Sequence, residues 1–280
     1  MSTTTSPTRV AQGPPTAAQP FQSVRHGGIS LVVDTPDVLG ISLCLSETFA
    51  TDCRVDERRY KNSPRVGDFA LLVPGHPVHV SVTGDCRTLQ LWLPVARIGQ
   101  ILKEEHGFDG VPLEFASSFD GHDLRLLGLM IKAATAAPAE RDVRLRAVVS
   151  HLCLHHALPR GRATLRPPKR GGLTPARLRR VVDHVEAHLA GPVALEALAT
   201  EAGLSPYHFA REFKRSVGTS PYSYVLERRL GLAITLLSRR GTGVEEAAHR
   251  AGFAHASHLS RHLRSLVGCS AQEVRALAQA

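Results

Sequence analysis

Two stretches of the chain set similar side chains at the same spacing, at an offset of fifty residues. In the first, Phe209, Phe213 and Val217 recur at i, i+4 and i+8, while Tyr207, Arg211 and Lys214 recur at i, i+4 and i+7 on another face. In the second, reached with one extra residue, Leu259, Leu263 and Val267 match the apolar stripe and Ser257, Arg261 and Arg264 match the polar one. At 3.6 residues per turn, each stretch is an amphipathic helix with one face to pack and one free to bind. A guanidinium offers a planar fork of donors that fits a phosphate or the O6 and N7 edge of guanine, so the chemistry open to these faces is recognition of an anion or a base. A single Arg on a helix is ordinarily a solvated surface residue. The repetition is what sets these apart. His208 and His258 also recur at the offset, but two such histidines cap or pack within their own unit, and no metal ligand is assigned to them.

The elements that must position these faces are legible around them. Helices over Leu195 to Ala202 and Val244 to Ala251 precede the two stretches and end at Gly203 and Gly252, so each copy reads helix, glycine turn, helix. Ser205-Pro206, Ser220-Pro221 and Thr174-Pro175 pair an N-cap side chain with proline at the first helical position. Thr242 to Glu245 and Ser270 to Glu273 fit capping boxes. Seven helices are expected, the fourth a long one from Pro221 to Ser238 that joins the two copies and fixes their separation.

These residues resemble the DNA-binding domain of the AraC/XylS family of transcription regulators. The resemblance is carried by Leu195-x-x-Leu198-Ala199 before Ala202-Gly203, by Gly-Leu-Ser-Pro-x-His-Phe-x-Arg-x-Phe-Lys from Gly203, and by Gly218-x-Ser-Pro221 with Tyr224. Arg229-Leu230-x-x-Ala233-x-x-Leu236-Leu237 and Gly252-Phe253 with Ser257-His258-x-Ser-Arg261 complete it. Ala271 and Val274 depart from it, standing where the family commonly has proline and an aromatic. The resemblance implies that the third and sixth helices enter successive major-groove segments. It places Tyr207, Ala210 and Arg211, then Ala256, Ser257, Ser260 and Arg261, against bases. Lys214, Arg215 and Arg264 lie further along and suit phosphates, which position a protein without specifying sequence.

The charge agrees with such a partner. The chain has 280 residues, 21% charged and 43% hydrophobic, with net charge +9. Residues 168–280 hold sixteen Lys/Arg against nine Asp/Glu, so most of the basic excess lies there. Five cysteines, Cys44, Cys53, Cys86, Cys153 and Cys269, lack C-x-x-C spacing, which argues against a disulfide framework or a Cys-based zinc site and singles out none for redox sensing. Met1 to Pro20 is Ser/Thr/Pro/Ala-rich without an apolar signal region, and later apolar stretches are interrupted well short of a span. A cytoplasmic protein without membrane attachment is expected.

From Phe21 to Leu93 short apolar runs are cut by Gly, Pro and Asp, the pattern of a small β domain. Val78, Val80 and Val82 alternate, Thr83-Gly84-Asp85 reads as a turn, and Leu89, Leu91 and Leu93 alternate again, predicting a hairpin. Gly67-Asp68-Phe69-x-Leu-Leu-x-Pro74-Gly75 resembles the cupin-like sensor domain that precedes the DNA-binding domain in many family members. After Pro94 the period becomes helical: Ile98, Ile101 and Leu102; Leu127, Met130 and Ile131; Leu145, Val148 and Val149. The last two helices form a hairpin packed either on the β unit or on another subunit. Arg54, Arg58 and Arg59 stand beside Asp56 and Glu57 and read as a solvated strand edge rather than an anion site. His76 and His79, at i and i+3, point to opposite faces of a strand and are poorly placed to share a metal.

The expected protein is α+β: a disordered 1–20, a cupin-like effector-sensing and dimerisation domain over 21–158 with a helical hairpin, a Pro/Gly/Arg linker over 159–172, and an all-α DNA-binding domain over 173–280. It is read as a sequence-specific regulator of transcription, not an enzyme, with no cofactor and no metal. Its expected partners are double-stranded DNA, a small-molecule effector, a second copy of itself and, for an activator, RNA polymerase. The alternative is a ligand-binding or metal-dependent cupin enzyme with a nucleic-acid-binding tail.

Overall fold

The computed structural model describes residues 21–46, 48–108, 118–157 and 172–277. The segment expected to be disordered, 1–20, and the expected linker apart from Gly172 lie outside the described residues. The chain forms two compact units: the described residues up to 157 together with 264–277, and residues 172–263.

The first unit is built on a curled antiparallel sheet of β1 (Phe21–Val33), β2 (Val38–Cys44), β3 (Thr48–Val55), β4 (Arg58–Asn62), β5 (Asp68–Leu72), β6 (Val78–Pro94) and β7 (Ser118–His122). The order is β4-β3-β6-β2-β5-β7, with β1 also paired to β6. The expected hairpin at Thr83-Gly84-Asp85 is not there. Those residues lie inside the continuous β6, where Asp85 pairs Gly27 of β1 on one side and Thr48 of β3 on the other. The alternating residues explain the misreading. Val80 and Val82 occupy even positions and line a cavity, whereas Leu89, Leu91 and Leu93 occupy odd positions and are buried on the opposite face. A change of phase that looks like a chain reversal is one strand whose even face lines the cavity throughout and whose odd face becomes buried from Leu89 on.

That second face is a block of cross-strand pairs, Leu39 with Leu93, Ile41 with Leu91 and Leu43 with Leu89, all fully or almost fully buried. Helices α1 (Val95–His106) and α2 (Leu124–Thr135) both touch β6, and α3 (Pro138–Leu152) packs on α1 and α2. The helical hairpin is therefore packed within its own chain, on the β unit. The cavity on the other face encloses about 120 Å³ and is lined mainly by apolar side chains with Ser42, Thr51, Thr88 and Gln90 among them.

The second unit contains α4 (Pro175–Ala187), α5 (Leu195–Ala202), α6 (Pro206–Val217), α7 (Pro221–Leu237), α8 (Val244–Arg250) and α9 (Ala256–His262). A π-helical turn, Leu263–Val267, and α10 (Ala271–Ala276) follow. Thr174 and Ser220 cap α4 and α7 by accepting from Arg177 and Ser223, and Ser270 with Glu273 closes a full capping box at α10. Ser205 holds the N-cap position of α6 without a side-chain bond. The expected box from Thr242 does not form, because the helix starts one residue later with Gly243 as N-cap, so Glu245 no longer falls at the third position. Its carboxylate instead accepts from the Ala256 N–H at 3.3 Å, at the start of α9. Among the described residues no helix is long and apolar enough to cross a membrane.

The two turn glycines do different work. Both have positive φ, +62° at Gly203 and +79° at Gly252. A Cβ on Gly203 meets nothing nearer than 3.9 Å, whereas on Gly252 it falls 2.2 Å from the Leu189 carbonyl oxygen. Gly203→Ala is expected to cost about 1–2 kcal/mol of backbone strain, and Gly252→Ala about 1–3 kcal/mol more for displaced backbone. Thermal or urea unfolding of the two variants checks the order; equal losses would contradict the close approach.

Candidate nucleic-acid interface

The two repeated helices separate their faces as their spacing demands. In α6, Phe209 and Phe213 are buried at 0% and 1% exposure, while Tyr207 is 82% exposed and Arg211, Lys214 and Arg215 are exposed with it. In α9, Leu259 is fully buried and Ser257 and Arg261 are exposed. Leu263 and Val267 are buried in the π-helical turn beyond it. Ala210, Ala256 and Ser260 are half-buried at the margins of these faces, and Arg264 is exposed on the π-helical turn. The boundary between the two units falls inside this turn, between Leu263 and Arg264.

Beneath the first face lies a carboxylate that its position in the apolar stripe hid. Glu212 is 7% exposed. Its Oε1 accepts from Arg211 Nε at 3.1 Å and Arg215 Nη1 at 2.7 Å, and its Oε2 accepts from the Gly172 backbone N–H at 2.7 Å. Leu173 N–H donates to the Ser216 hydroxyl at 2.7 Å, so the incoming chain is stitched to α6 twice. The bond through Nε orients the Arg211 guanidinium while leaving its Nη groups as donors. Glu212 is thus a positioning residue for two of the cations expected at DNA. The Gly172 N–H and the two arginines hold its carboxyl below the usual glutamate range against the opposing effect of burial.

The helix between the copies is fastened by two neighbouring arginines. Arg228, 7% exposed, grips Glu186 of α4 in a bidentate pair at 2.6 and 2.9 Å. Arg229 donates Nε to the Leu189 carbonyl at 3.0 Å and Nη2 to that of Gly191 at 2.5 Å, satisfying the last carbonyls beyond α4. Burial pushes the Arg229 pKa down. Arg229 also borders a cleft of about 600 Å³ between the two helix-turn-helix copies, lined by Leu195, Tyr222, Phe253 and His258 among others. There His258 and His262 bring their Nε2 atoms to 3.0 Å, and burial with the neighbouring His258 and Arg261 pushes the His262 pKa down. One imidazole therefore donates to the other, an intrahelical contact at i and i+4. His208 lies 3.7 Å from Glu212.

In the first unit, Arg59 pairs with Asp52 across β3 and β4, and β4 is an edge strand, so the Arg54, Arg58 and Arg59 run is a solvated edge. His76 lies 3.3 Å from Asp56, and His79 is exposed on β6. All five cysteines are buried. Burial pushes the thiols of Cys53 and Cys153 up to about 11 and those of Cys86 and Cys269 to about 12, so thiolate is scarce at neutral pH.

Because the folded pKa of Glu212 is depressed, its contribution to stability is present above the unfolded value of about 4.3 and is lost as pH falls through the folded one. Glu212→Gln is expected to melt below the parent chain at pH 7, with the difference closing as pH falls from 5 toward 3. Circular dichroism melts across that range check it; a difference independent of pH would contradict the assignment.

Residues 198–276 match the helix-turn-helix domain family. The chain is 33% identical over 88 residues to the probable transcriptional regulator LumQ of Photobacterium leiognathi, covering 31% of this chain and 36% of that one. It is 34% identical over 102 residues to the transcriptional activator RhaS of Escherichia fergusonii, covering 36% and 37%. The match thus spans little more than a third of these relatives. Among solved structures it is similar to a transcriptional regulator with an AraC-type DNA-binding domain from Chromobacterium violaceum, at 29% identity and TM-score 0.35, covering 36% of this chain and 91% of that one.

Proposed function

From the premise that its C-terminal region is a helix-turn-helix domain of the AraC/XylS family, we propose that this chain is a sequence-specific regulator of transcription that reads DNA with α6 and α9. The observation that carries the reading is the pair of amphipathic helices in one compact unit, each with its apolar stripe buried and an arginine outward, Arg211 in one and Arg261 in the other. At about 1.5 Å per residue the seventeen residues of α7 reach roughly 25 Å. With the width of the packed helices this approaches the spacing of about 34 Å between major-groove segments on one face of DNA, and a bend in the DNA supplies the remainder.

In this reading Tyr207, Ala210, Arg211, Ala256, Ser257, Ser260 and Arg261 face bases, and Lys214, Arg215 and Arg264 face phosphates. Residues 173–280 act as the seven-helix DNA-binding domain, 159–172 as the linker, and 21–158 as a cupin-like domain for dimerisation and effector sensing. The apolar cavity between β1, β3 and β6 supports a small, largely apolar effector. The reading extends to work as an activator, the word in the name of the RhaS relative, and to contact with RNA polymerase in the cytoplasm.

Selection of bound duplexes from a random pool is expected to return two different short elements about one helical turn apart. Arg211→Ala and Arg261→Ala should each cost about 1–3 kcal/mol on that site and relax one base position. Lys214→Ala should weaken all sequences alike and lower the log K versus log salt slope by about one. A change of base preference in Lys214→Ala with none in Arg211→Ala would reverse the face assignment. Inserting about five base pairs, half a turn, between the elements should abolish tight binding. Undiminished binding would end the rigid two-groove reading.

A further inference from the structure

The first unit gathers three metal-ligating side chains that neither the sheet nor the cavity employs. Asp123 stands before α2, where its Oδ1 accepts from the Leu126 N–H at 2.9 Å. Its Oδ2 receives two imidazoles, His151 Nε2 at 2.8 Å and His156 Nε2 at 2.7 Å. The three ligand atoms lie within 4.8 Å of one another, and the side chains are only 15–17% exposed. Each imidazole must carry a proton on Nε2 to make its bond to the shared oxygen. A divalent ion at the point of convergence replaces both protons and takes all three groups as ligands.

The backbone is shaped for this convergence. In a regular α-helix, residues five apart point about 140° away from each other. His156 lies five residues after His151, but the chain between them widens into the π-helical turn Cys153–Ala157. Its i→i+5 pattern brings His156 round to the side of His151, and such turns occur often at functional sites. Phe69 of β5 sets its ring edge against His156 at 4.8 Å between centroids and 73° between planes, which fixes the orientation of that imidazole.

We propose that Asp123, His151 and His156 form a binding site for a first-row divalent transition ion, with zinc the best match. Two imidazoles and a carboxylate suit zinc, and the set holds no thiolate to favour copper(I). Metal–ligand bonds of about 2.0–2.2 Å put tetrahedral ligand atoms about 3.3 Å apart, about half an ångström beyond the present distance of each imidazole nitrogen from the Asp123 oxygen. The fourth position falls to water. A bound ion joins the end of α3 to the start of α2, in the last described element before the chain passes to the second unit. The sequence did not disclose the site because the i, i+5 spacing matches no ligand pattern on a regular helix or strand.

The test is a zinc titration of the untagged full chain after chelator treatment, read by calorimetry or against a chromophoric competitor. One equivalent is expected to bind, with affinity falling at least about tenfold in each of Asp123→Asn, His151→Gln and His156→Gln. The control His258→Gln removes an imidazole from the unrelated pair with His262 and should leave it unchanged. Asn can still cap Leu126, so Asp123→Asn preserves the start of α2. Cobalt titration gives a second readout: the visible absorption of a tetrahedral site in the parent chain, absent in Asp123→Asn. A parent chain that takes up less than one equivalent of zinc, or binding that persists in all three variants, overturns the proposal and leaves the cluster a hydrogen-bonded tie between helices.

Discussion

The placement of α6 and α9 depends on the approach of Arg229 to the chain beyond α4. Its guanidinium comes from the middle of α7 and holds the carbonyls of Leu189 and Gly191, in the segment that leads from α4 to the first copy. The Gly252 turn of the second copy lies against the same place, near enough to the Leu189 carbonyl that no side chain fits. One half-buried cation thus joins the connecting helix, the segment leading into the first copy and the turn of the second. A guanidinium suits the task, because its several fixed donors can satisfy two carbonyls at once. Arg228 with Glu186, one residue away, fastens the same helix to α4.

Charge on α6 is organised by another buried partner. Cations crowded on one helix repel one another and wander. Glu212 sits below the surface and takes Arg211 and Arg215 together, so it lowers the repulsion and restricts the first guanidinium. It also holds the chain at Gly172, so the segment entering α4 and the exposed cationic face of α6 share a carboxylate.

In the first unit the organising element is β6, which serves two interiors. Its early part lends Val80 and Val82 to the cavity, and its later part sends Leu89, Leu91 and Leu93 to the helices while Thr88, Gln90 and Trp92 continue to line the cavity. At Gly40 the Trp92 ring lies so close that an added Cβ would fall 2.6 Å from it, so the indole packs flat over the neighbouring strand. An apolar cup and a helical cover are thereby built on opposite faces of one strand.

The sequence by itself determined the helix-turn-helix copies, nearly to the residue: Leu195 to Ala202 is the observed α5, and the long helix from Pro221 ends one residue before the expected Ser238. Helical period, glycine turns and Ser-Pro starts are local signals, set within a few residues by backbone sterics and hydrogen bonding. Exposure of Tyr207, Arg211 and Arg261 followed from the same period. Only the tertiary structure decided that Thr83-Gly84-Asp85 continues a strand, because a strand with partners on both sides tolerates a Gly-Asp pair that alone would favour a turn. It also decided that α2 packs on its own sheet with α3 against α1 and α2, that Glu212 binds two arginines, and that Asp123 meets His151 and His156. Each of these joins residues distant in the chain or turns on a local departure from the helical period, and such contacts are fixed by packing, which a one-dimensional pattern does not encode.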